Sequence, residues 1–328
     1  MLPPHLRKFS ALYDSYGLGA VKNIWLLVSL LPLARTVNLY KMKDYVGGVL
    51  ENDRSKVDSH YKRLIRFFQD WGSSEALRQD LIRHNLRFLR GIGFKTLVMD
   101  GTSWTIGEAK VHYLVLSVLV DTVAVPIYWV QLEKIGASSQ EERKAMFEKA
   151  FLLFDLKGMT LLADREYIGK EWFNFLKKKK IHFVIRLRIN DYWEEVNAAT
   201  GMIFLTTLPN AVKAAQLYAK RWKIECLFKH LKTNGYNFED LNLKDPNKNM
   251  LMMAIVTIAY TLAFREGRKH QNKIPTQIYR DGTQTSEVSI FRAGLAILTA
   301  KCFRFIEFIR YVFSTLGSTN HAFCKNVQ

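Results

Sequence analysis

The chain has 328 residues, 48% of them apolar and 13% aromatic, enough to bury a full core and too apolar for a disordered protein. Lys and Arg number 48 against 30 Asp and Glu, a formal charge of +18, which favours a polyanionic partner, nucleic acid before an anionic membrane surface. Cys226, Cys302 and Cys324 lack metal-ligand spacing and read as reduced thiols of a cytoplasmic protein.

The first apolar run, IWLLVSLLPLA (24–34), is too short to cross a bilayer, is broken by Pro32, and is followed by no leader-cleavage site. Residues 1–90 read as helical. An apolar segment at 20–39 precedes LYKMKDYVGGVL, a short helix expected to stop near Gly47-Gly48. A basic amphipathic helix follows at 58–72, with an Asp/Ser cap, a buried side of Leu64, Ile65, Phe67 and Phe68, and Lys62, Arg63 and Arg66 on it. Helix, turn and basic helix fit helix-turn-helix logic, as do many small helical bundles. Lys62, Arg63 and Arg66 are therefore candidate DNA contacts, and 1–92 a candidate DNA-binding domain.

The texture changes at 94. FKTLVMD (94–100), VHYLVLSVLV (111–120) and VAVPIYWVQLEK (123–134) read as strands separated by Gly and Asp signals. A helix at 139–154, a strand at 159–164, a helix at 169–180 ending in KKKK, and a strand at 181–188 follow. The lysine run suits a helix C-terminus, where cations are favoured. Three strands and then alternating helix and strand predict an α/β, ribonuclease-H-like mixed sheet with helices packed on it. A brief strand at 203–208 and one long helix at about 211–233 complete a core domain expected over 93–240. Residues 241–328 read as a mainly helical C-terminal region suited to dimerisation.

Two strands end alike, KTLVMDGT at Asp100 and TLLADRE at Asp164. An Asp after a strand often only starts a turn or caps a helix. Two at equivalent strand ends of one sheet would converge and repel unless a divalent cation such as Mg²⁺ met them. On an ideal helix, Tyr218, Arg221, Glu225, Lys229 and Lys232 fall within about 80° of arc, opposite Ile224, Leu227 and Leu231. Taken alone, such a charged face is common on surface helices.

The spacing Tyr218-x2-Arg221-x3-Glu225-x6-Lys232, with VMDGTSW and LLADREYIG upstream, resembles the DDE transposases of the bacterial insertion-sequence-four type. The likeness covers most of the chain. It implies that Asp100, Asp164 and Glu225 form the catalytic triad and hold two Mg²⁺ or Mn²⁺ ions. It also implies that Tyr218, Arg221 and Lys232, with Lys229 beside them, grip DNA phosphates near the cut. The implied activity is metal-dependent cleavage at transposon ends and strand transfer into target DNA. The implied partners are the terminal inverted repeats and target duplex, bound by a homodimer on the bacterial nucleoid, with no membrane partner. Family members commonly carry a β-rich insertion before the Glu-bearing helix; here only 189–210 fills that place, with Tyr192 and Trp193 as possible remnants.

Two rival readings remain. A shortened transposase could bind DNA without cleaving it and act as a repressor. His84-x-x-Arg87 has the spacing seen in tyrosine recombinases, with Tyr218 as nucleophile, but it lies far upstream on an N-terminal helix.

Overall fold

The computed structural model describes residues 10–52, 54–89, 92–187 and 203–317. Cys324 and most of the 189–210 segment, including Tyr192 and Trp193, lie outside the described residues. Cys226 and Cys302 are not joined in a disulfide.

Four helices come first: α1 (Ser10–Ala34), α2 (Leu39–Leu50), α3 (Val57–Trp71) and α4 (Glu75–Arg87). Strands β1 (Thr96–Ile106), β2 (Ala109–Val120) and β3 (Val123–Leu132) lead to α5 (Gln140–Leu153), β4 (Thr160–Ala163), α6 (Lys170–Lys178), β5 (His182–Arg186) and β6 (Phe204–Thr206). Helices α7 (Ala211–Tyr218), α8 (Lys223–Lys232) and α9 (Pro246–Lys269) follow, then the hairpin β7 (Thr276–Ile278) and β8 (Gln284–Ser286), α10 (Ile290–Lys301) and α11 (Phe305–Gly317). The described residues divide into two compact units, one drawn from 92–105, 110–187 and 203–228, the other from 10–52, 54–89, 106–109 and 229–317.

The first unit holds a six-stranded sheet in the order β3-β2-β1-β4-β5-β6. Strand β2 pairs antiparallel with β3, and β5 with β6, whereas β1–β4 and β4–β5 are parallel. This is the ribonuclease-H-like order expected from the sequence. From His112 to Val120 every residue of β2 is buried, so the strand reads as an apolar run interrupted inside only by Ser117 rather than as an alternating one. Ser139 and Glu142 close a reciprocal capping box at the start of α5, a device that contributes about 1 kcal/mol. Phe147 of α5 meets Trp172 of α6 edge-on at 5.2 Å between ring centres.

The sequence expectation of one helix over 211–233 is corrected: α7 ends at Tyr218 and α8 starts at Lys223. The link between them is held by bonds of i to i−3 type, Arg221 N to Tyr218 O at 2.8 Å and Ile224 N to Arg221 O at 3.1 Å. Such bonds tighten the turn and rotate the following helix. The apolar side of α8 is as expected, with Ile224, Leu227 and Leu231 fully buried.

In the second unit, α2 runs through Gly47-Gly48 rather than stopping there. It ends at Glu51, whose left-handed backbone (φ 50°) lets its N–H reach the carbonyls of Gly47 and Gly48. Helix α1 bends at Gly17, where φ is +74°. Leu12–Ala34 and Pro246–Lys269 are each long and apolar enough to cross a membrane by length and composition, so the run at 24–34 is part of a longer apolar helix than expected. Within the protein 61% and 89% of their apolar windows are buried, and α9 is apolar on nearly all sides, as a core helix is. Helix α10 lies so close to α9 that a Cβ on Gly294 would collide with the Ala263 carbonyl. His84 is a core residue of this unit, 5.7 Å from the rings of both Trp25 and Phe88, which removes the recombinase reading of His84-x-x-Arg87.

Candidate active site

Strands β1 and β4 pair as Thr96–Thr160, Leu97–Leu161 and Val98–Leu162. Continuing that register by two residues sets Asp100 opposite Asp164. Asp164 does follow the end of β4, but Asp100 does not end β1, which runs on to Ile106 as a neighbour of β2.

The Asp100 side chain is 18% exposed. Its Oδ1 accepts from the Gly101 amide at 2.9 Å and the Tyr167 hydroxyl at 3.4 Å, and its Oδ2 faces Arg221 Nη1 at 3.1 Å. Burial pushes its pKa up to about 6; Arg221 and the Gly101 amide pull it down, and Glu166 and Asp164 add to the rise. Asp164 Oδ1 accepts from the Arg165 amide at 2.8 Å, capping a short 3-10 turn over Arg165–Tyr167. The turn-starting role and the site position thus coexist, because the same oxygen lies 3.2 Å from the Tyr218 hydroxyl.

The break after α7 places its neighbours. Tyr218 is buried against Phe204, with ring centres 4.6 Å apart, and burial and then Asp164 raise its pKa to about 12. Arg221 reaches Asp100 with Nη1 and Glu225 with Nη2, the latter at 2.5 Å. Burial alone would lower the Arg221 pKa, but Asp100 and Glu225 raise it. Glu225 itself is 57% exposed. Arg221 therefore joins Asp100 to Glu225, and Tyr218 meets Asp164.

Among the described residues no group of three or more His, Cys, Asp or Glu side chains is spaced to hold a metal ion. The donor set is nonetheless all carboxylate oxygen, the chemistry Mg²⁺ and Mn²⁺ take. A guanidinium already lies between Asp100 and Glu225, so these oxygens are arranged around positive charge. The residues fit a divalent cation, provided Glu225 exchanges Arg221 for it.

The other expected residues are dispersed. Lys232 pairs with Glu239 at 3.0 Å, and Lys229 is exposed. On α3, Lys62 and Arg66 are exposed, whereas Arg63 donates to Asn23 Oδ1 at 2.7 Å. Tyr167 was not singled out from the sequence; its place three residues after Asp164, in LLADREYIG, is the signal that marks it.

The family model described as "Transposase DDE domain" matches residues 93–262. A search of curated proteins finds no match. A cryo-EM structure of the piggyBac transposase synaptic complex with hairpin DNA is similar at 12% identity over 92% of this chain and 76% of that one, with a TM-score of 0.49. The matched span runs from the start of β1 into α9 and contains Asp100, Asp164 and Glu225. The chain belongs to the family of transposases that share the DDE domain.

Proposed function

We propose that the chain is a DDE transposase of the insertion-sequence-four type that cuts DNA at transposon ends and joins the freed end to target DNA. The observation that carries this reading is the junction of three carboxylates. Asp100 on β1 and Asp164 just past the end of β4 stand at matching positions of two adjacent parallel strands, Arg221 ties Glu225 to Asp100, and the Tyr218 hydroxyl meets Asp164.

In this reading Asp100, Asp164 and Glu225 hold two Mg²⁺ or Mn²⁺ ions. Bound there, the metal ions supply an activated water or 3′-hydroxyl nucleophile and stabilise the leaving oxygen of an in-line displacement. The Tyr218 hydroxyl and the Arg221 guanidinium, released from carboxylates, are free to grip the phosphate, Arg with its planar fork. Lys232 adds a point charge on the last turn of α8, and Lys229 lies one turn before its end. Lys62 and Arg66, exposed on α3, suit contacts to the duplex backbone, and Arg63 reaches it only by leaving Asn23. A homodimer on two transposon ends, assembled on nucleoid DNA, completes the reading. Incubation with Mg²⁺ and a duplex carrying the inverted repeat that flanks the reading frame tests it: nicking is expected. Tight binding without nicking would instead support a DNA-binding repressor.

A further inference from the structure

Arg143 of α5 is 3% exposed, yet it carries a guanidinium. Its Nε donates to Ser138 Oγ at 2.9 Å. Nη2 donates to the Ser138 carbonyl and, at 3.0 Å, to the Glu166 carbonyl; Nη1 donates to the Ile168 carbonyl at 3.4 Å. Ser138 belongs to the turn before α5, whereas Glu166 and Ile168 belong to the loop that leaves β4 after Asp164. One buried cation thus fastens two chain segments through their backbone carbonyls.

The same guanidinium lies over the Tyr167 ring, 5.0 Å from its centre. Tyr167 is fully buried and touches both strand aspartates. Its amide donates to the Asp164 carbonyl at 3.0 Å, and its hydroxyl is 3.4 Å from Asp100 Oδ1. Helix α5 holds the loop at its far end too. Gln140 Oε1 accepts from the Trp172 amide at 3.0 Å, and the Gln140 side chain fills the space that a Cβ on Gly169 would need.

A buried guanidinium carries a large desolvation penalty unless its donors are satisfied. A loop can be pinned by apolar packing alone. The planar fork does more, because it fixes two loop carbonyls and an aromatic face in one geometry. The ring so fixed carries the hydroxyl that meets Asp100.

We propose that Arg143 and Tyr167 are positioning residues that set the Asp100 carboxylate relative to Asp164. Arg143 locks the 164–169 loop and the Tyr167 ring, and the Tyr167 hydroxyl orients Asp100. This rests on the reading of Asp100 and Asp164 as metal ligands. Outer hydrogen bonds to ligating groups typically change metal affinity by about 10- to 100-fold.

The test is Mn²⁺ binding to the full chain without DNA, read from the electron paramagnetic resonance signal of the free ion, beside thermal melting. Tyr167→Phe keeps the ring over Arg143 and removes only the hydroxyl. It is expected to weaken Mn²⁺ binding about tenfold while the melting temperature stays close to that of the wild type. Arg143→Lys, which keeps the charge and loses the fork, is expected to weaken it as well. Should the Arg143 variant fail to fold, Tyr167→Phe carries the test alone. If Asp100→Asn loses the ion and Tyr167→Phe binds it like the wild type, the positioning role is overturned and the metal site stands. If Asp100→Asn binds Mn²⁺ like the wild type, the metal-site reading falls and the positioning role with it.

Discussion

Arg221 bridges Asp100 and Glu225: its Nη1 lies 3.1 Å from Asp100 Oδ2, and its Nη2 lies 2.5 Å from Glu225 Oε1. A carboxylate from the middle of the sheet and one from α8 therefore share one guanidinium. The arrangement gives the Asp100 carboxylate, 18% exposed, a counter-charge, and gives Arg221 a role besides the proposed phosphate contact.

Arg221→Ala in metal-free buffer leaves the Asp100 carboxylate without its cation. A loss of about 1–3 kcal/mol is expected, as for other buried polar groups deprived of a partner, measured by urea unfolding. Millimolar Mn²⁺ is expected to restore part of it by replacing the missing positive charge. Equal stability of variant and wild type in the absence of metal would show that the bridge does not support the fold.

Lys232 pairs with Glu239 at a partly exposed site, where an ion pair contributes about 0–1 kcal/mol. It can be exchanged for a phosphate at small expense. Lys232→Ala is expected to leave stability nearly unchanged and to reduce the log–log salt dependence of end-DNA binding by about 0.9. A slope equal to the wild type's would place Lys232 outside the DNA contact.

Gly294 has no room for a side chain against the Ala263 carbonyl of α9. Gly294→Ala is expected to force α10 away and cost about 1–3 kcal/mol, the usual range for overpacking. Neither Cα belongs to the carboxylate site, so nicking by the folded fraction should persist. A melting temperature equal to or above the wild type's would contradict this packing.

His230 stacks on Phe291, with ring centres 4.4 Å apart, and burial, then Arg292 and Lys229, lower its pKa from 6.5 to about 4. The unfolded chain therefore takes up this proton first as pH falls. The contribution is fully present above pH 6.5 and is lost between 6.5 and about 4. It amounts to about 3 kcal/mol. His230→Phe, which keeps a stacking ring, is expected to flatten urea-unfolding stability across that window. A variant with the wild-type pH dependence would show that His230 is not its source.

Much of this was legible in the sequence because strands buried on both faces are long apolar runs and the order of elements restricts the topology. The capped start of α5 and the buried Ile224, Leu227 and Leu231 side of α8 follow from local pattern in the same way. The break between α7 and α8 was not legible: Ala219, Lys220, Arg221 and Trp222 include neither Gly nor Pro, so tertiary packing sets it. Gly101 and Thr102 read as a turn that ends the strand at Asp100, whereas the strand continues beside β2 to Ile106. The β7–β8 hairpin is exposed throughout and carries no alternating apolar pattern to announce it. The Asp/Ser cap expected for α3 also differs: Lys56 takes the N-cap position without a side-chain cap bond, and Asp58 lies in the first turn.

The most direct test compares Mg²⁺-dependent nicking of a transposon-end duplex by the wild type and by Asp100→Asn, Asp164→Asn and Glu225→Gln, with end binding measured in parallel. Each variant is expected to bind the duplex and to lose nicking by more than the roughly 100-fold typical of losing an outer-layer partner. Nicking at the wild-type rate by any one of the three, with the protein folded, would contradict a metal site built from these three carboxylates.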